Sequence, residues 1–159
     1  MIKRVLLLVC LLPALAMTMA MANENQPWGS AELTEKIYAP AKVVYDVSAA
    51  DAVELNSIIG RVSHLNNEYA GDVFDAHTVV VLHGDEIPLF TAEKYVENKE
   101  LMERAQSLTL AGNIEFRMCA AAAELHGVKP EDVHGFVNMV PMADAEIIEL
   151  QHQGYAYMR

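Results

Sequence analysis

From Lys42 onward, apolar residues fall into two alternating rhythms. "KVVYDV" (Lys42–Val47) is short and rich in β-branched and aromatic residues, which predicts a strand. Behind it, Val53, Leu55, Ile58, Ile59, Val62 and Leu65 recur at helical spacing, with Ser48 and Asp51 as candidate N-caps. "AHTVVVLHG" (Ala76–Gly84) is a continuous apolar run closed by a His-Gly turn, the form of a strand covered on both faces. A turn at "GDEIP" opens a helical stretch to about Leu110, with a break expected near Asn98. "GNIEFRMC" predicts a third strand, "AAAAELHG" a helix stopped by Gly127, and "PEDV" a turn. "GFVNMVP" predicts a fourth strand, "ADAEIIELQHQ" a last amphipathic helix and "GYAYMR" a short terminal strand. Strands separated by helices mean βαβ units, right-handed crossovers and a mainly parallel sheet with helices on both faces. With no linker after Pro40, residues 41–159 read as one α/β domain.

The first residues follow neither rhythm. Lys3 and Arg4 precede an apolar run from Val5 to Ala16, and Ala20-Met21-Ala22 has the small-x-small form of a leader cleavage site. Residues 1–22 are therefore expected to be a signal peptide, removed to leave Asn23 first and the protein in the periplasm. The run is short for a membrane span, so no membrane anchor is expected once the leader is gone. Residues 23–40 read as a polar arm in which Trp28 is expected to be a packing anchor. Cleavage discards two bases, leaving nine against 22 acids, a formal charge of −13. Such a surface repels phosphate backbones and anionic lipids, which argues against nucleic acid as a partner.

Cleavage also removes Cys10, so the mature chain keeps one cysteine, Cys119, and no internal disulfide is open to it. In parallel α/β sheets ligands sit beyond the carboxyl ends of the strands. That singles out Asp46, His83-Gly84, Cys119 and Pro141-Met142. Cys119 stands where a strand gives way to a helix, so unpaired N–H groups are expected to face its sulfur and favour the reactive thiolate. The bland alternative is a small buried hydrophobe. His83 is a candidate to stabilise the thiolate or supply a proton, against a merely structural histidine. Asp46 is a candidate to orient a partner residue or to cap the following helix, with capping the favoured reading. Glu131, Asp132, Glu146 and Glu149 read as solvated faces. No pair has HxxxH or CxxC spacing, so no metal is expected. No glycine-rich loop follows the first strand, and no elbow motif surrounds Ser48 or Ser63, which argues against nucleotide binding and serine hydrolysis.

"VVVLHG", "MCAAAAELHGV" and the closing "ELQHQGYAYMR", in that order, resemble the DsrE/DsrF-like family, and more particularly its exported, leader-bearing branch. The resemblance implies a flavodoxin-like three-layer α/β/α fold with about five strands, assembled as a homo-trimer or homo-hexamer. In the sulfur-relay members a cysteine matching Cys119 accepts sulfur as a persulfide and hands it to a partner thiol. What it implies here is a sulfur carrier or sulfurtransferase using Cys119, with His83 assisting, a donor or acceptor protein as partner, and no cofactor. The rival readings are a small-molecule or metal-binding module without covalent chemistry, and an oligomeric interaction protein.

Overall fold

The computed structural model describes residues 27–69 and 75–159. The leader read at residues 1–22 lies outside them. The chain divides into two units, 1–36 and 37–159. In the first, residues 27–36 hold no helix or strand, and Trp28 is exposed.

The second unit carries β1 (Lys42–Val47), α1 (Ala52–Glu68), β2 (His77–Leu82), α2 (Lys99–Thr109), β3 (Ile114–Cys119), α3 (Ala120–Leu125), β4 (Val137–Val140), α4 (Ala143–His152) and β5 (Ala156–Met158). The five strands form one sheet in the order β4-β3-β2-β1-β5. Every pairing is parallel.

Strand alternation sorts the residues into two cores. Val43, Tyr45, Val47, Val80, Leu82, Ile114, Phe116 and Met118 face one side, where Leu55, Ile59 and Val62 of α1, Met102 and Ala105 of α2 and Ala123 of α3 meet them. Val44, Val79, Val81 and Cys119 face the other, under Ala143, Ile147 and Leu150 of α4. The strand order explains this division. From β1 to β4 each strand joins the sheet beside its predecessor, and right-handed crossovers then keep all the connections on the first face. After β4 the chain must return to the far edge to place β5 beside β1, and α4 crosses the second face to do so. Three layers follow.

Several elements depart from the periodicity reading. The stretch after "GDEIP" is two 3₁₀ turns, Ile87–Phe90 and Ala92–Lys94, and α2 begins only after Asn98, where the break was expected. Val53 fits the helical spacing but points to solvent, because at 3.6 residues per turn it lies about 150° round the helix from the stripe centred on Leu55, Ile59 and Val62, nearly opposite it. Asp51, not Ser48, caps α1: its Oδ1 accepts from Val53 N (2.8 Å) and Glu54 N (2.9 Å).

The loops after β1 and β2 are clasped together. Glu86 is fully buried and accepts from Ala49 N (2.7 Å) and Gly84 N (2.9 Å). Gly84 comes so close to the β1 loop that a Cβ there would lie 2.5 Å from Ser48 Oγ and 2.6 Å from Ser48 Cα. Only glycine fits. No helix among the described residues is long and apolar enough to cross a membrane.

Candidate functional site

In an open α/β sheet the natural crevice opens where neighbouring strands send their outgoing connections to opposite faces. Here β3 leads into α3 on the first face and β4 into α4 on the second. Cys119, the last residue of β3, stands at that point, and Ala121 N donates to Pro141 O at the exit of β4 (3.4 Å). Cys119 is also the N-cap of α3, with extended backbone (φ −67°, ψ 115°), and its Sγ accepts from Ala122 N at 3.4 Å. One amide, rather than several, aims at the sulfur. The residue is only 5 % exposed and packs among the apolar side chains under α4. The thiol is covered, not displayed.

His83 extends the β2 ladder by one residue, its N–H donating to Val47 O (3.1 Å). Register carries it to the position beside Cys119, since Leu82 pairs with Met118 one step earlier. Neighbouring strands lie about 4.8 Å apart. Asp46, between Tyr45 and Val47 of the first face, points to the same second face as Cys119. Its Oδ1 lies 2.5 Å from His83 Nε2, and its Oδ2 accepts from the Tyr157 hydroxyl of β5. The expected capping role for Asp46 is therefore replaced: Asp51 caps α1, and Asp46 joins three strands. Burial alone would raise its carboxyl, but the bonds from Tyr157 and His83 and the charges of His83 and Arg159 outweigh this and hold it low.

Two residues back from Cys119 on the same strand face, Arg117 binds Glu115 (Nη2–Oε2 2.8 Å) and Glu146 of α4. Glu146 thus belongs to a part-buried ion network rather than the solvated face its sequence context indicates. Burial would lower the Arg117 guanidinium, yet the two carboxylates carry it above its ordinary value. His77 Nε2 approaches Glu115 at 3.2 Å and its Nδ1 lies 2.8 Å from the Tyr155 hydroxyl. With two carboxylates to one guanidinium, this network brings no net positive field to Cys119.

Among the described residues no group of three or more His, Cys, Asp or Glu side chains is arranged to hold a metal ion. Met118 is buried, whereas Met142 and Met158 are exposed and Met139 lies between. Elsewhere, a groove of about 610 Å³ is lined by Tyr95, Met102, Glu103, Gln106, His134 and Phe136. His134 stacks on Phe136 (centroids 5.8 Å apart, 11° between planes) and its Nε2 is buried without a hydrogen-bond partner.

Sequence reasoning brought Cys119, His83 and Asp46 to one end of the sheet, and the structure sets them on adjacent strands and one face. It missed Tyr157, Glu86 and Arg117. The only signal for Tyr157 was the terminal strand itself, whose place beside β1 no local pattern records.

Residues 38–159 match the DsrE/DsrF-like family. A comparison with curated proteins finds no match. Among solved structures the chain is similar to a protein of unknown function, MTH1491, from Methanobacterium thermoautotrophicum. The TM-score is 0.60 at 18 % identity, over 75 % of this chain and 98 % of that one. At that identity the likeness speaks for the fold.

Proposed function

The chain belongs to the DsrE/DsrF-like family, and from that premise we propose that it carries sulfane sulfur on Cys119. The observation that supports this most directly is the position of Cys119 at the carboxyl end of β3, where β3 and β4 send their connections to opposite faces, one strand from His83 on the same face. In the proposed step the Cys119 thiolate attacks the outer sulfur of a donor persulfide, R–S–SH. The donor S–S bond breaks, R–S⁻ leaves and takes up the proton that Cys119 gave away, and Cys119–S–SH remains. No net oxidation occurs. An acceptor thiolate then attacks the same outer sulfur and restores Cys119. Such covalent carriage divides one transfer into two.

The proposal extends to export, with cleavage after Ala22, and to a homo-trimer or homo-hexamer with a donor or acceptor protein as partner. The mass of the mature chain and light scattering test these two points. The chemical test is to incubate the protein with a low-molecular-weight persulfide and weigh it intact. Wild type is expected to gain one sulfur atom, and Cys119→Ser to gain none. Native labelling of Cys119 that is no faster than in the unfolded chain, together with no sulfur gain, overturns the proposal.

A second reading, a small-molecule-binding module, draws support from the aromatic groove at Tyr95, His134 and Phe136. Its volume is in the range of ligand sites, and His134 Nε2 lacks a partner. Saturable binding of an aromatic probe, abolished by Phe136→Ala in a protein that never gains sulfur, favours that reading.

A further inference from the structure

The hydroxyl of Tyr157 reaches the Asp46 carboxylate from the C-terminal strand, although nothing in the sulfur-carrier reading calls for it. Residues from three strands meet here: Tyr157 on β5, Asp46 on β1 and His83 at the end of β2. The carboxylate takes one bond on each oxygen, Oδ1 beside His83 Nε2 at 2.5 Å and Oδ2 under Tyr157. A carboxylate only accepts, so Nε2 must carry a hydrogen, and in the neutral ring Nδ1 is then the sole site left to take a proton. The strand holding this ring lies between β1 and β3, with Cys119 at the neighbouring register position.

We infer that Tyr157 and Asp46 are positioning residues, and that the Tyr157–Asp46–His83 chain fixes His83 as the acid–base group for the thiol of Cys119. This deepens the sulfur-carrier reading and rests on it. Nδ1 takes the proton of the Cys119 thiol, the thiolate so formed attacks the donor's outer sulfur, and the imidazolium returns the proton to the departing R–S⁻, so the imidazole ends each transfer neutral. Asp46 steadies the imidazolium between those two events, and Tyr157 keeps the carboxylate turned toward the ring. The arrangement resembles an acid-oriented histidine in general form, a base whose tautomer a third group sets. The other charges in this field are Glu86, buried near His83, and Arg159, near Asp46.

The test combines two measurements on the full-length protein and on His83→Gln, Asp46→Asn and Tyr157→Phe. Nitrogen NMR of the ring reads the tautomer of His83. Single-turnover sulfur gain from a low-molecular-weight persulfide, followed by intact mass between about pH 5 and 8, reads the chemistry. We expect Nε2–H in wild type and a mixture of tautomers in Asp46→Asn. The transfer rate should fall about a hundredfold in His83→Gln, with loss of the pH dependence. It should fall about tenfold in Asp46→Asn and several-fold in Tyr157→Phe, beyond what any change in melting temperature explains. An unchanged tautomer in Asp46→Asn, or unaltered pH profiles in all three variants, overturns the positioning role while leaving Cys119 as carrier. A wild-type protein that never gains sulfur overturns the carrier reading and the transfer role of His83 together, and the tautomer still shows whether Asp46 sets the ring.

Discussion

At Gly84 a hydrogen atom is the largest substituent that the meeting of two loops allows. Gly84→Ala would drive a methyl against Ser48 backbone and side chain, and should cost about 1–3 kcal/mol, read as a lower urea midpoint at unchanged slope. Glu86, just beyond, shows how burial changes the sign of a pH effect. Its carboxyl is raised, by desolvation first, against the pull of the Gly84 and Ala49 amides and the His83 charge. A raised carboxyl holds its proton more firmly folded than unfolded, so this group loses stability as pH rises from the ordinary carboxylate value through its folded value. Asp46 is lowered and acts oppositely, its contribution being lost only as pH falls through that depressed value. Glu86→Gln should therefore melt lower than wild type, because one amide N–H loses its acceptor. It should also show a flatter melting temperature just above the carboxylate range. His83 and Cys119 were legible as candidates because they end apolar runs. Glu86 was not: an acid in a turn looks solvated until tertiary structure encloses it.

Among the described helices, α4 alone lies over the second face of β1 and β2, whereas α1, α2 and α3 share the first. Leu150, nearly fully buried, packs in the smaller of the two cores. Leu150→Ala should cost about 2–5 kcal/mol by chemical denaturation. Removing the α1 cap with Asp51→Ala should cost only about 1 kcal/mol. Element types followed closely from periodicity, because a strand covered twice and a helix covered once write different patterns. What failed was the stretch from Ile87 to Lys94. Pro88 has no N–H to give, and the 3₁₀ turns satisfy their own donors over such short spans that no 3.6-residue period develops.

For the molecule as a whole, the parallel sheet and its layers were readable from the alternation of strands and helices, but the strand order was not. Nothing local distinguishes a β5 beside β4 from a β5 beside β1, and that choice brings Tyr157 to Asp46. The acidic balance of 11 bases to 22 acids is likewise a property of the whole surface. If Cys119 takes sulfur from an anionic donor, the approach is repelled at long range, so the transfer rate should rise with ionic strength. With an uncharged donor it should stay level. A rate that falls with salt would reveal a local cationic entry route.

The pairing of the last strand with the first also sets a timetable. β1 emerges from the ribosome early, apolar on both sides, yet one of its edges stays open until residues 156–158 are made. Until those residues are in place, an incomplete chain exposes that edge to any other strand it meets, which is the hazard of open β edges. Chains that stop before residue 156 should be sticky fragments rather than slightly shortened copies.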